Sequence, residues 1–334
     1  MTRTVLLLIT LIATQTPTAP SSEAPQRSGT RPAQAAPAVQ PPAAQTAQAP
    51  PATDIWLARL DAAGTLMQPP INITNRPGYD NQPSFTPDGK TILFTRSDGK
   101  QTDIYAYDFT SRSSGVRPIT NTPESEYSPT VTPDGTGMSV IRVEADGTQR
   151  LWRFALGDAT RAGSAGAAGN ADSTAPQVVL PNVRPVGYHA WGPDGLLALF
   201  VLGNPNTLQV ADSRTGRSRV AAQRIGRSLH PIPGRDTVSV LHLEGGARWI
   251  KELDLRTRAL TPIATLPEGG EGDYAWSPDG AILMSDGARL MRWRAGATEW
   301  AAVADLAALG LAGVTRLAVS PDGRWIAMVA PEAR

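Results

Sequence analysis

Residues 82–108 read Gln82-Pro83-Ser84-Phe85-Thr86-Pro87-Asp88-Gly89-Lys90-Thr91-Ile92-Leu93-Phe94-Thr95-Arg96-Ser97-Asp98-Gly99-Lys100-Gln101-Thr102-Asp103-Ile104-Tyr105-Ala106-Tyr107-Asp108. Pro87-Asp88-Gly89 is a tight-turn signal: proline presets φ, aspartate caps the turn, and glycine takes positive φ. A short apolar strand precedes the turn, and Thr91-Ile92-Leu93-Phe94-Thr95 forms a second after it. Asp103-Ile104-Tyr105-Ala106-Tyr107 reads as a third strand and Arg117-Pro118-Ile119-Thr120 as a short fourth.

The phrase recurs along the chain. Copies stand at Val131-Thr132-Pro133-Asp134-Gly135, Trp191-Gly192-Pro193-Asp194-Gly195, Trp276-Ser277-Pro278-Asp279-Gly280 and Val319-Ser320-Pro321-Asp322-Gly323, with a degenerate one at Pro231-Ile232-Pro233-Gly234-Arg235. Measured between the turn prolines, the spacings are 46, 60, 40, 45 and 43 residues. A period in the forties marks repeated supersecondary units, and four short antiparallel strands per unit make a propeller blade. The long spacing is explained by 157–176, a Gly/Ala/Ser-rich stretch that reads as a flexible insertion in the second blade. The last copy supplies only two strands, while Asp54-Ile55-Trp56 echoes Asp103-Ile104-Tyr105. The expected fold is therefore all-β: a six-bladed β-propeller of four-stranded antiparallel blades over 54–334. Its ring is closed by N-terminal strands pairing with the last repeat, which leaves no open sheet edge.

Ahead of the ring stand two segments of different composition. Residues 1–13 carry Arg3 and then an apolar run from Val5 to Ala13, the layout of a secretory signal and too short to span a bilayer. Residues 14–53 are Pro/Ala/Gln-rich, with only Glu23, Arg27, Gly29, Arg31 and Val39 outside Pro, Ala, Gln, Ser and Thr. Such a stretch buries too little apolar surface to offset its chain entropy and is expected to be a disordered linker or docking tail. With 31 basic against 30 acidic residues the chain lacks the basic excess of a nucleic-acid binder or a polybasic membrane anchor. It has no cysteine, which excludes disulfides, thiolate metal sites and cysteine nucleophiles.

The pattern over 82–108, with Ile119-Thr120-Asn121 after it, resembles the TolB-type β-propeller repeat, a WD40-like repeat of bacterial envelope proteins. The resemblance covers 54–334. It implies an exported, periplasmic protein-binding scaffold without cofactor, expected to be a monomer. TolB itself carries an N-terminal α/β domain where this chain has its Pro/Ala/Gln-rich tail. Related propellers precede the hydrolase domain of prolyl-oligopeptidase-like peptidases, but the sequence holds no Gly-x-Ser-x-Gly elbow.

Antiparallel geometry puts the Pro-Asp-Gly turns on one face of the ring and the residues leading into each first strand on the other. That second face is the candidate rim for a protein or peptide partner: Tyr79, Asp80, Gln82, Glu126, Tyr127, Tyr188, His189, His230, Asp273, Tyr274 and Arg316. Tyr79, Tyr188 and Tyr274 are expected to lie outside the blade cores. The three histidines, His189, His230 and His242, fall on adjoining blades. They suggest an alternative: a divalent-metal site of the kind found in oligogalacturonate lyases, related propellers acting on polysaccharide. The turn aspartates Asp88, Asp134, Asp194, Asp279 and Asp322 read as caps, not catalysts.

Overall fold

The computed structural model describes residues 51–110, 115–156, 175–270 and 272–332. The signal-like segment 1–13, nearly all of the tail and most of the 157–176 insertion lie outside the described residues. The chain opens with β1 (Thr53–Arg59) and β2 (Ile71–Asn72). Blade 1 is β3 (Asp80–Phe85), β4 (Thr91–Ser97), β5 (Thr102–Asp108) and β6 (Val116–Pro118). Blade 2 is β7 (Ser125–Val131), β8 (Gly137–Val143), β9 (Gln149–Ala155) and β10 (Gln177–Val178). Blade 3 is β11 (Val186–Trp191), β12 (Leu196–Val201), β13 (Thr207–Asp212) and β14 (Arg217–Gln223). Blade 4 is β15 (Ile225–Pro231), β16 (Val238–Glu244), β17 (Ala247–Leu253) and β18 (Leu260–Thr265). Blade 5 is β19 (Tyr274–Trp276), β20 (Ile282–Ser285), β21 (Arg289–Trp293) and β22 (Ala301–Asp305). The last strands are β23 (Arg316–Val319) and β24 (Trp325–Pro331).

Blade 6 has the order β2-β1-β24-β23, so the two ends of the ring share one sheet, as expected. β1 pairs antiparallel with β24 from Thr53↔Pro331 to Arg59↔Trp325. The closing strand starts at Thr53, one residue earlier than the sequence suggests, because the Thr53 amide donates to Gly78 and its hydroxyl to Asp80.

Each Pro-Asp-Gly turn is built by local hydrogen bonds. In blade 1 the Thr86 hydroxyl donates to Asp88 at 2.6 Å and accepts from the Thr91 amide across the turn. Ser320 and Asp322 repeat this in blade 6. Asp134 is held by the Thr132 hydroxyl, which lowers its pKa to about 2. Blade 3 departs from the pattern, because Gly192 stands where the hydroxyl should be and a Cβ there would run into Leu255. Its Asp194 takes φ 56° and pairs with Arg256 of blade 4 instead.

The cores lie between blades, not within them. Second strands are buried on both faces, and alternate residues go to opposite seams. Ile92 and Phe94 pack with Ile55, Leu57 and Val329 of blade 6, while Leu93 packs with Met138 and Val140 of blade 2. Ile141 turns the other way, toward Leu197, Leu199 and Val201 of blade 3. Ala198 and Phe200 then meet Val238 and Val240 of blade 4. Third-strand aromatics add to these seams: Trp56, Tyr105 and Trp152 pack against them and Trp293 lies within one. Among the described residues no helix is long and apolar enough to cross a membrane.

Candidate functional site

The six first strands, β3, β7, β11, β15, β19 and β23, face a central cavity of about 780 Å³ that runs from their starts to the Pro-Asp-Gly face. Counting back five residues from each turn proline gives Gln82, Ser128, Tyr188, Ser228, Asp273 and Arg316, one residue per blade. All six line the cavity at its mouth. Two residues deeper, Ser84, Thr130, Ala190, His230, Ala275 and Ala318 form a second ring. Backbone irregularities turn the mouth residues inward. The register shifts between Asn81 and Ser84 and between Tyr127 and Thr130, where Gln82 and Ser128 hold φ of 57° and 54°. The Gln82 side-chain carbonyl accepts from the Thr95 hydroxyl and the Ser128 amide, tying blade 1 to blade 2.

The mouth is polar and aromatic. Arg227 holds Asp273 through Nε, at 3.0 and 3.2 Å, and through Nη2. The Ser228 hydroxyl donates to the same carboxylate at 3.1 Å. Arg316, on blade 6, reaches across the channel to the opposite blade 3. There it donates to the Tyr188 hydroxyl at 2.9 Å and lies 5.1 Å from the ring centre. Tyr79 stands close enough to feel the charges of Arg316 and Arg227 and the Tyr188 and Tyr127 phenols. Burial dominates and pushes its pKa up to about 12, so it is a neutral donor at pH 7.

The eleven rim residues expected from the sequence separate into groups. Gln82, Tyr188, Asp273 and Arg316 line the mouth together, and His230 lines the second ring. Tyr79 and Tyr127 do not line the cavity, and Tyr127 packs against the seam between blades 2 and 3. Asp80 and Glu126 do not reach it. They are fully buried structural carboxylates, Asp80 held by Arg96 at 2.6 Å and by Arg76, and Glu126 held by Arg142 at 3.1 Å. Arg96 lies 4.8 Å from the Tyr105 ring centre and Arg142 4.8 Å from that of Trp152, both third-strand aromatics. Burial raises both carboxyl pKa values, with the arginines and the Thr122 hydroxyl opposing it.

Tyr274 is only 1% exposed and belongs to a core seam, contrary to the expectation that it lies outside the cores. Its hydroxyl donates to Ser239 of blade 4 at 2.8 Å, and its ring packs on His230 at 4.9 Å. Arg227 is the mouth residue that sequence reasoning passed over. Its signal was present, since it stands six residues before Pro233, the register of Tyr127 before Pro133.

The histidines do not converge. His189 is buried with Nε2 2.7 Å from the Ser139 hydroxyl of blade 2. His242 sits within β16, opposite Ile225 and Trp249, and does not line the cavity. His230 lies in the second ring, and His189 borders the same cavity. Among the described residues no group of three His, Asp or Glu side chains is placed to hold a metal, because two of the three imidazoles are packed into blade seams and sheets. Burial pushes the pKa of His189 and of His230 down to about 4.

No protein-family model matches the sequence, and no curated protein matches it. Solved structures do. A protein provisionally assigned as TolB from Agrobacterium tumefaciens aligns with a TM-score of 0.61 at 14% identity, covering 84% of this chain and 98% of that one. TolB from Acinetobacter baumannii aligns with a TM-score of 0.50 at 15% identity over 84% of this chain and 64% of its own length. A gluconolactonase from Xanthomonas campestris aligns with a TM-score of 0.55 at 11% identity, over 85% and 99%. At these identities the likeness concerns the fold, which is the TolB-like six-bladed propeller. The fold hosts both scaffolds and enzymes.

Proposed function

We propose that this chain is an exported, TolB-like scaffold that captures a protein or peptide segment at its channel mouth and does no chemistry on it. One observation carries the reading. Tyr188, Arg227, Asp273 and Arg316, from blades 3, 4 and 6 and the residue leading into blade 5, gather around one opening, with Tyr79 within reach of the Arg316 and Arg227 charges. Tyrosine and arginine are the side chains that dominate binding hot spots, since they join a large rigid surface to hydrogen-bond donors. The cavity behind them is wide enough to take side chains of an extended segment. Export rests on the signal-like residues 1–13 and on the likeness to TolB.

The capture reading is tested by panning a linear peptide library on the intact protein, with Ser84→Trp as counter-selection. Ser84 lines the second ring, so tryptophan there fills the cavity. Peptides should enrich on the natural protein alone, and Tyr188→Ala should weaken them at least ~10-fold. An absence of enrichment ends the proposal. Export is tested separately, by fusing residues 1–53 ahead of a reporter whose activity needs a disulfide. Activity in the envelope is expected, and a reporter retained inactive in the cytoplasm would refute export.

A further inference from the structure

The channel mouth has more hydrogen-bond donors than acceptors. Asp273, 7% exposed at its side chain, is already engaged by Arg227 and Ser228. Arg316 has five N–H donors and, among the described residues, makes one hydrogen bond, to the Tyr188 hydroxyl. The nearest Asp273 oxygen is 4.0 Å from its Nη1, beyond hydrogen-bond reach. Its side chain is 16% exposed, so water compensates this charge less than it does on an open surface. The Tyr188 hydroxyl accepts from Arg316, which leaves its own proton without an acceptor. Among the described residues the Tyr79 hydroxyl makes no hydrogen bond. The carboxylates leading into or beginning the first strands of blades 1 and 2, Asp80, Glu124 and Glu126, are held by Arg96, Arg76 and Arg142.

We propose that Arg316, with Arg227 and the Tyr79 and Tyr188 hydroxyls, binds a carboxylate of the captured segment. This rests on the capture reading above and names the chemical group that the mouth selects. A guanidinium presents parallel N–H donors at the spacing of two carboxylate oxygens, and the phenols supply neutral donors beside them. Reaching across the channel from blade 6 to blade 3, Arg316 places that fork in the path of anything entering the cavity. The carboxylate is either a chain terminus or an Asp or Glu side chain.

Trp191 and Trp276 line the same cavity, so binding is followed by tryptophan fluorescence on the intact protein. Three probes separate the sources: N-acetyl-Ala-Ala with a free carboxylate, its C-terminal amide, and N-acetyl-Ala-Asp amide. At least one acid should bind ~10-fold or more tightly than the neutral amide, and which one does identifies the source. The preference should vanish in Arg316→Gln and persist in Arg324→Gln, an exposed arginine on the Pro-Asp-Gly face. It should shrink as salt rises from about 50 to about 500 mM. Should Arg316→Gln fail to fold, Asp273→Asn decides. Removing the competing carboxylate should tighten acid binding several-fold, and unchanged or weaker binding overturns the proposal. Acid and amide binding alike to the natural protein overturns it too. Panned peptides that lose nothing when their carboxylates are capped would sink this inference and leave capture standing. Acids that bind while no peptide enriches would do the reverse.

Discussion

Ser139 and Ser239 stand at the same register, six residues after the turn prolines of blades 2 and 4, and each hydroxyl ties its blade to the next. Ser139 donates to the Thr130 carbonyl and accepts from Trp191 Nε1 at 2.8 Å, which leaves one lone pair for His189. His189 must therefore present Nε2–H, as the Tyr274 hydroxyl does to Ser239. That leaves His189 Nδ1 buried with no partner among the described residues. A proton there has no acceptor to meet, which agrees with burial pushing the pKa down to about 4. An unfolded histidine titrates near ~6.5. Between these values the unfolded chain binds a proton that the native one refuses, so stability is full above pH ~6.5 and lost as pH falls toward ~4. The loss reaches about 2 kcal/mol by pH ~4.5. His189→Gln keeps an N–H for Ser139 and cannot titrate. Urea unfolding at pH ~7 and ~4.5 should show the natural protein losing about 2 kcal/mol more than this variant. Because His230 titrates alike in both, parallel losses would mean that His189 is not buried neutral.

At the scale of strands, the turns and the blade count were legible in the sequence because Pro-Asp-Gly makes a tight turn at every copy, even in blade 3, where Asp194 takes a different φ. Gly89, Gly135, Gly280 and Gly323 all take φ between 68° and 79°, as type-specific turns demand. Four strands per copy then follow from the alternation of apolar and polar residues. The site was less legible, for a reason found in the first strands. Their side chains alternate between channel and seam, and the bulges at Gln82 and Ser128 break that alternation in some blades and not in others. Tyr188 and Tyr274 look alike in sequence, yet Tyr188 stands five residues before its proline and opens to the channel, while Tyr274 stands four before and enters the seam. Asp80 and Glu126 look like rim acids until Arg96 and Arg142, on the neighbouring strands, are seen to hold them. Such pairing across strands depends on register, which residue type alone does not reveal. The histidines are kept apart on the same ground: among the described residues the three occupy three different kinds of position.

For the molecule as a whole, the placement of the cores has a consequence. No blade owns a core, since each seam draws residues from both neighbours and the last seam closes on the first. A solenoid can fray from its ends, whereas a closed ring has none. The intact protein should therefore unfold in one transition, with tryptophan fluorescence and far-UV circular dichroism coinciding. β1 is the N-terminal strand that pairs with β24 and so joins the two ends of the ring in one sheet. This strand contributes Ile55 and Leu57 to the seam with blade 1 and Ala58 to the seam with blade 5. Burying each of the two larger side chains is worth about 1.5–3 kcal/mol. Without β1, β24 becomes an open edge carrying Met328 and Val329, which are fully buried in the intact ring. A chain beginning at Gly64 should lose the single sharp transition and bind a hydrophobic dye, because removing one strand uncovers two seams. A peptide spanning residues 51–62, added in trans, should restore the transition by re-forming the β1–β24 ladder. If the shortened chain unfolded as sharply as the full one, or if blades melted separately in the intact protein, the ring closure would not be what holds the propeller together.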